Sequence, residues 1–297
     1  MEDVEDVEDV EDVEDVEDVE DVEDVEDVED VEDVEDVPEF TFENGIITTW
    51  KPKSQSPNEQ LKLIKDKLGI DCKACITGRL DPMAQGMMIY LVGDKTKESK
   101  IYMSNTTKIY EFFIVLGFST DSNDCMGIIT DTNIDYSENK YECVLTNIKS
   151  GKYMEYIQTT PSCSAYKARS KKTGEKHPLW MWKHLDRLDE VDIPQKTIKL
   201  HHLKIIHEDT ISLEKYIDTI VLDIKNVTSF TTGNLPSIIE QWENIKEKNS
   251  DTLLKIVRCE AKVPSGTYIR FLAHTIGMDV GIPSHAYDIT RTHIFLE

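Results

Sequence analysis

The chain has 297 residues, of which 39% are hydrophobic, and its formal net charge is −25. A charge of this size argues against a nucleic-acid partner, because an acidic protein repels phosphates. This argument against a nucleic-acid partner does not hold, because much of the negative charge lies in one segment. Residues 2–37 are twelve copies of Glu-Asp-Val, which carry 24 of the 58 acidic residues and no base. The rest of the chain has 34 acidic and 33 basic residues, a nearly neutral body long enough to bury a core.

The acidic repeat has no pattern that would pack. Valine at every third residue winds around a helix instead of forming a stripe, and acidic residues three and four apart repel each other. We therefore predict a disordered tail over residues 1–38 and one folded domain over residues 39–297. A solvated low-complexity expansion is favoured over an arm that mimics RNA and competes for the body's own binding groove.

The six cysteines form no even framework of pairs. Cys72 and Cys75 form a CxxC pair, but no second pair stands at the spacing of metal ligands, so neither a metal site nor redox chemistry is expected. We find no secretory leader and no apolar run long enough to span a membrane. These features predict an intracellular protein without a membrane anchor, and they do not distinguish nucleus, cytoplasm and mitochondrion.

The first half of the body shows one clear helix and two clear strands. A capping serine, a proline and a glutamate at 56–59 form a helix start, and Gly69 supplies a left-handed stop, so a helix is predicted over 57–68. The short apolar run at 87–92 predicts a buried strand. The β-branched and aromatic residues at 108–117 predict a central strand covered on both faces.

The middle of the body is less regular. A short helix is predicted within 133–148 and a strand at 152–158. At 165–187, aromatic residues alternate with cations without clear periodicity, which predicts either an RNA-facing loop or a basic solvated loop that its tryptophans anchor to the core. The residues concerned are Tyr166, Trp180 and Trp182 with Lys167, Arg169, Lys171, Lys172, Lys176, Lys183 and Arg187.

The last third of the body has two helix patterns and one strand pattern. Residues 234–248 predict an amphipathic helix, and the alternation at 255–263 predicts a half-exposed strand. A further helix is predicted to begin at 266–267 and to end at Gly277, while 282–296 is short and mixed. Helices and strands intermix without a regular β–α–β rhythm. The sequence therefore predicts one α+β domain with a mostly antiparallel sheet.

The loop TGRLDPMAQG at 77–86 places an acidic residue and a proline between two glycines. On its own it is a turn, because Asp, Pro and Gly are the usual turn formers. The loop also resembles the GxLDPxAxG motif of TruB-type tRNA pseudouridine synthases, in which the Asp is the catalytic carboxylate. The matching positions are Gly78, Leu80, Asp81, Pro82, Ala84 and Gly86.

Further segments resemble motifs of the same family in the expected order. They are Lys51-Pro52 (KP), Thr96-Lys97 (TK), Lys108-x-Tyr110 with Leu116-Gly117 (KxYxxxxxLG), Pro161-x-x-Ser164-Ala165-x-Lys167 (PPxxSAxK), SGTYIR at 265–270 (SxGTYIR), and His285 with Ile289 and Arg291 (HxxxLxR). The resemblance spans residues 45–294, and motifs in this number and order are specific. The wording of VPSGTYIR and TKIYE is closer to the eukaryotic members than to the bacterial ones.

The resemblance implies the pseudouridine synthase fold, an α+β arrangement with a mixed, mostly antiparallel central sheet flanked by helices. It implies that the T-loop uridine of tRNA, position 55, is flipped out of the RNA and isomerised to pseudouridine. An isomerisation needs no cofactor and no metal; tRNA is the expected partner, and we expect a monomer. The guide-dependent H/ACA enzymes share the motifs but normally add a carboxy-terminal PUA domain, and we expect a stand-alone enzyme without that domain.

The resemblance also implies a role for each matched residue. Asp81 is the expected nucleophile, and Arg270 is the guanidinium that keeps it charged and in place. Tyr110, the third expected catalytic residue, would stack on the uracil and help to remove the C5 proton. The expected substrate-binding residues are Lys51 and Lys167 on phosphates, Tyr268 and Ile289 as walls of the pocket, and Arg291.

Two positions depart from the family pattern: Thr160 replaces the first Pro of the PPxxS motif, and Ile76 replaces a histidine. The family usually has His five residues before the catalytic Asp, where this chain has Ile76. The departure at Ile76 motivates an alternative hypothesis, an RNA-binding folding factor for tRNA that has lost turnover. Retention of Asp81, Tyr110 and Arg270 favours the enzyme.

Overall fold

An eight-stranded sheet runs through the computed structural model, which describes residues 39–227, 235–249 and 251–297. The predicted acidic tail at 1–38 lies outside the described residues. The strands are β1 (Phe40–Glu43), β2 (Ile46–Lys51), β3 (Ala74–Thr77), β4 (Gln85–Val92), β5 (Thr106–Leu116), β6 (Phe118–Thr120), β7 (Ile129–Thr132), β8 (Glu155–Thr159), β9 (Lys167–Arg169), β10 (Lys176–Pro178), β11 (Gln195–Lys199), β12 (His202–Ser212), β13 (Leu253–Pro264) and β14 (Ser284–Leu296). The helices are α1 (Pro57–Leu68), α2 (Ser99–Ser104), α3 (Glu138–Lys149), α4 (Leu179–His184), α5 (Leu213–Lys225), α6 (Leu235–Lys248) and α7 (Ile269–Met278).

The large sheet has the strand order β1-β2-β4-β14-β5-β13-β12, with β3 paired to β4. Its pairings are antiparallel except that of β14 with β4, where Thr290 pairs with Gln85 and Arg291 with Gly86. Three small two-stranded sheets, β10-β9, β11-β8 and β6-β7, lie outside it. The predicted α+β fold with a mixed, mostly antiparallel sheet flanked by helices is confirmed.

Strand β5 separates two hydrophobic cores, one on each face of the sheet. Phe112 and Ile114 belong to the core that includes residues of α1, α3 and α7, whereas Val115 belongs to the core formed with α5 and α6. Alternate side chains of a strand point to opposite faces, which is why one strand serves both cores. Burial of each such side chain contributes about 1.5–3 kcal/mol, and the predicted central strand is confirmed.

The helix predicted at 57–68 is confirmed together with its caps. The side chain of Ser56 accepts a hydrogen bond from the backbone of Glu59, whose carboxylate accepts one from the backbone of Ser56. Gly69 ends the helix with φ +62°. Ile64 is fully buried, so the apolar face of α1 packs on the sheet as its periodicity indicates.

Strand β14 differs most from expectation, because residues 282–296 were predicted to be short and mixed. The segment forms a 13-residue strand between β5 and β4. Its register on β5 shifts between Tyr287 and Thr290 and again between Arg291 and His293. Each irregularity interrupts the two-residue alternation, so the strand has no visible period in the sequence.

The predicted end of the last helix was also wrong. Helix α7 continues through Gly277 to Met278, and a Cβ atom at Gly277 would lie 2.3 Å from the hydroxyl oxygen of Ser284. This glycine therefore permits the close packing of α7 on β14 and is not a left-handed stop. The other helix predictions hold within a few residues, although residue 234 lies outside the described part of the chain. None of the helices in the described ranges is long and apolar enough to cross a membrane.

Candidate active site

A cavity of about 830 Å³ opens beside the loop at 77–86. A volume of this size accommodates a nucleotide-sized ligand. Its walls come from that loop, from β5, from the beginning of α7 and from β14. Six of the residues predicted from the sequence line it, namely Asp81, Tyr110, Tyr268, Arg270, Ile289 and Arg291. Within the described residues, no three His, Cys, Asp or Glu side chains lie where they could hold a metal ion.

The loop that carries Asp81 is anchored on both sides of the carboxylate. The side chains of Leu80 and Met83 are buried, 5% and 7% exposed. The backbone N–H of Ala84 donates to the carbonyl oxygen of Asp81 at 3.0 Å, which closes a turn with Pro82 at its second position. The apolar anchors and the turn leave the side chain of Asp81 directed to the cavity, where it is 40% exposed.

Lys51 lies underneath this loop and is fully buried. Its ammonium group donates to the carbonyl oxygens of Pro52 at 2.8 Å, Gln55 at 2.6 Å and Pro82 at 3.2 Å. Burial lowers the pKa of Lys51 to about 7, against the opposing effect of the Asp81 charge. All three N–H donors of Lys51 are used, so its side chain supports the loop. A contact with a phosphate would require the side chain to lie at the surface, and it does not.

Arg270 holds both oxygens of the Asp81 carboxylate. Its Nε donates to Oδ2 at 2.7 Å, and a terminal nitrogen donates to Oδ1 at 3.2 Å. The guanidinium side chain is only 3% exposed. This two-pronged geometry fixes the direction of the carboxylate.

A second acid, Asp124, lies beside the same guanidinium. Its Oδ2 is 3.5 Å from the Nε of Arg270, and its Oδ1 accepts hydrogen bonds from the Ser122 hydroxyl and from the backbone N–H of Met126. Burial raises the pKa of Asp124 although Arg270 opposes the shift. Burial also acts against the charge of Arg270, but the two acids outweigh it and raise the pKa of the guanidinium.

Asp124 was absent from the sequence prediction. It falls in a turn-rich segment whose pattern gave no sign of a buried acid. The signal that could have indicated a second acid is electrostatic. If Arg270 is buried, its charge must be compensated by acidic residues nearby.

Tyr110 and Arg291 form the opposite wall of the cavity. Tyr110 is 7% exposed on β5, and Arg291 is fully buried on β14. The guanidinium of Arg291 donates to the Tyr110 hydroxyl at 3.3 Å and, through Nε, to the carbonyl oxygen of Met87 at 2.7 Å. These contacts hold the tyrosine ring in one orientation beside the loop of Asp81.

Tyr268 lies immediately before α7 and is positioned by a buried glutamine. The backbone N–H of Tyr268 donates to Gln158 Oε1 at 2.7 Å, and Gln158 Nε2 donates to the carbonyl oxygen of Gly266 at 2.8 Å. Burial raises the pKa of the Tyr268 phenol. The glutamine thereby ties the segment that precedes Arg270 to β8.

The basic segment at 165–187 forms the β9-β10 hairpin and α4, and one of its tryptophans is buried, as predicted for a segment anchored by its tryptophans. Trp182 is fully buried, and its ring N–H donates to the carbonyl oxygen of Ala168 at 3.0 Å, whereas Tyr166 and Trp180 line the cavity. Four of its cations form ion pairs, namely Lys171 with Asp192, Lys172 with Asp189, Lys183 with Asp121, and Arg187 with Glu175 and Glu190. The remaining three, Lys167 and Arg169 on β9 and Lys176 on β10, make no ion pair with a carboxylate in the described residues.

His285 matches a family motif but lies inside the protein. Its Nδ1 donates to the carbonyl oxygen of Phe118 at 2.9 Å, and its Nε2 accepts from the Tyr216 hydroxyl at 2.5 Å. Burial lowers the pKa of His285 to about 4, so the ring stays neutral near pH 7. Its contacts are those of a core residue that fixes the start of β14.

Comparison with known proteins gives one family match. The model of the TruB family pseudouridylate synthase, N-terminal domain, matches residues 65–219. Three relatives share the description tRNA pseudouridine synthase B: those of Ligilactobacillus salivarius (25% identical over 252 residues), Bacillus cereus (26% over 253) and Oceanobacillus iheyensis (27% over 257). Each alignment covers 84% of this chain and 65–66% of the relative, so the chain spans less than two thirds of their length.

Among solved structures, a crystal structure of a Cbf5-Nop10-Gar1 complex is similar over 84% of this chain and 48% of that chain. The sequence identity is 20% and the TM-score is 0.47.

Proposed function

We infer the activity from the premise that this chain belongs to the TruB family of pseudouridylate synthases. We propose that it isomerises uridine to pseudouridine in tRNA, at the T-loop uridine of position 55. The observation that carries the proposal is the Asp81 carboxylate, held at both oxygens by a buried arginine and exposed to a cavity of nucleotide size. The description of the three relatives as tRNA pseudouridine synthases supports tRNA as the substrate.

The reaction breaks the bond between N1 of uracil and C1′ of the ribose, turns the base, and joins C5 to C1′. It requires an ionised carboxylate near the glycosidic bond. We assign this role to Asp81, because Arg270 holds both oxygens of its carboxylate and because the carboxylate keeps an accessible face. Lys51 and Asp124 act as positioning residues: the first holds the loop of Asp81, and the second holds Arg270.

The other residues of the cavity bind and orient the substrate. Tyr110 stacks on the uracil and exchanges the C5 proton through its hydroxyl, and Tyr268 and Ile289 form the remaining walls. Extraction of the base from the RNA costs a few kcal/mol. The cations Lys167, Arg169 and Lys176, which form no ion pair among the described residues, offset this cost by contacts with phosphates. We assign the whole activity to residues 39–297, with no site residue in the acidic tail.

Release of tritium from a tRNA transcript labelled at C5 of its uridines tests the proposal. The wild-type protein is expected to release one tritium per tRNA, and none when position 55 is changed to cytidine. Asp81→Asn keeps the shape of the side chain without its charge, so it should bind tRNA and release no tritium. The matched control is Asp71→Asn at an exposed position outside the cavity, which should leave release unchanged.

Three outcomes would contradict parts of the proposal. Turnover by purified Asp81→Asn protein would remove Asp81 as the nucleophile. Release from the transcript changed at position 55 would refute the assigned target. Binding of tRNA by the wild-type protein without any release would favour the folding factor.

A further inference from the structure

Two buried cations lie beside each other at the wall of the cavity. Lys108 is 6% exposed on β5, and Arg291 is fully buried on the neighbouring β14. Neither makes an ion pair with a carboxylate in the described part of the chain, and the charge that acts on Lys108 is the like charge of Arg291. A buried charge without an opposite partner is costly, so this arrangement favours an anion in the adjoining space.

Lys108 retains a donor for such an anion. Its Nζ donates to the hydroxyl oxygens of Thr106 at 2.9 Å and Ser265 at 3.0 Å. Both partners are neutral, and an ammonium group has three N–H donors. One N–H group and the whole positive charge are therefore left for a group in the cavity, which Lys108 lines.

The cation pair lies against the loop that carries Asp81. A Cβ atom at Gly78, three residues before the carboxylate, would lie 3.5 Å from Lys108 Nζ and 3.8 Å from a terminal nitrogen of Arg291. The same guanidinium donates to the hydroxyl of Tyr110. Both acids of the site, Asp81 and Asp124, pair instead with Arg270. Arg270 is thus compensated by two carboxylates, whereas Lys108 and Arg291 have no carboxylate partner among the described residues.

The proposed isomerisation, on which this inference rests, creates negative charge on the uracil by either order of attack. If Asp81 attacks C1′, the electron pair of the N1–C1′ bond stays on the ring, which becomes the uracil anion. If Asp81 attacks C6, the electron pair of the C5–C6 double bond moves toward the C4 carbonyl and gives an enolate. In the first route C5 then attacks C1′ and displaces the Asp81 carboxylate. In the second route the N1–C1′ bond breaks, C5 bonds to C1′, and the bond between Asp81 and C6 breaks by elimination as C5 loses its proton. In both routes C5 loses a proton, N1 gains one and the carboxylate is regenerated, so no co-reactant is consumed.

We propose that Lys108 is a catalytic residue that stabilises the negative charge developing on the uracil ring, with the charge of Arg291 behind it. The anion exists only during the reaction, so the interaction accelerates turnover without tightening the binding of tRNA. Burial and the charge of Arg291 lower the pKa of Lys108 to about 8. The side chain is therefore mostly charged at neutral pH and loses its charge as the pH rises through about 8.

Single-turnover rates on a saturating tRNA transcript test the role of Lys108. Lys108→Met should lower the rate constant by about 100-fold, as loss of a preorganised donor to a developing anion does. The dissociation constant for tRNA, measured by filter binding, should change less than threefold. Lys62→Met, at an exposed position on α1, is the matched control and should leave both values unchanged.

The pH dependence gives a readout that a merely structural role would not move. The wild-type rate should fall as the pH rises through about 8, whereas Lys108→Arg, whose guanidinium stays charged, should hold its rate to higher pH. A Lys108→Met rate within threefold of wild type, or a loss confined to tRNA affinity, would overturn the proposal. If Lys108→Met does not fold, identical pH profiles for wild type and Lys108→Arg overturn it. Absence of turnover in the wild-type protein is a separate result that refutes the proposed function itself.

Discussion

Among the glycines that the structure describes, Gly86 is the position where one added methyl group should have the largest effect. Its φ is +122°, and a Cβ atom would lie 2.2 Å from the carbonyl oxygen of Arg291, at the parallel pairing of β4 with β14. The backbone strain costs about 1–3 kcal/mol. The overlap costs about another 1–3 kcal/mol, because the neighbour is the backbone of a central strand and cannot turn aside. We therefore expect Gly86→Ala to lower the free energy of unfolding by about 4 kcal/mol.

Urea denaturation followed by tryptophan fluorescence measures this loss, and Gly69→Ala is the matched control. Gly69 also has a positive φ, +62°, but a Cβ atom there would meet nothing within 4 Å. Its substitution should cost only the backbone strain, about 1–2 kcal/mol. Equal losses of stability in the two variants would show that β4 and β14 do not approach each other this closely. The placement of Arg291 beside the catalytic loop would then also be refuted.

Two further substitutions separate positioning from stability. Asp124→Asn should slow tritium release by about 10²-fold, because the hold on Arg270 loosens. An unaltered rate would contradict the positioning role of Asp124. For Lys51, the pKa of about 7 in the folded state lies below the unfolded value of 10.5, so the unfolded chain binds more protons between these values and stability rises with pH across that window. For one group, the free energy of unfolding changes by up to about 1.4 kcal/mol per pH unit. Lys51→Met should therefore reduce the difference in the free energy of unfolding between pH 7 and pH 9. An unchanged difference would count against the burial of the Lys51 charge.

The local elements could be predicted from the sequence where a local cause determines them. Helix α1 carries its capping box and its left-handed glycine within 56–69, so no distant contact is needed to define it. Strand β5 is rich in β-branched and aromatic residues on both faces, which is typical of a strand between two cores. Strand β14 escaped prediction because its register shifts interrupt the alternation.

The candidate site divides in the same way. The motifs around Asp81, Tyr110 and Arg270 indicate which residues meet, although these residues lie up to 189 positions apart. They do not indicate the surroundings. Lys51 was predicted to contact a phosphate but lies buried beneath the loop. Asp124 lies in a turn-rich segment and was not predicted to belong to the site.

The sequence by itself determined the caps, the strand composition, the charge balance of the body and the identity of the motif residues, because each depends on neighbours along the chain. Only the tertiary structure decided which cations have acid partners and which remain buried without one. Lys108 and Lys97 belong to adjoining motifs, yet the first is buried beside Arg291 and the second is an exposed partner of Asp94. The difference arises because the charge balance around a side chain is set by groups that folding brings together from distant parts of the chain.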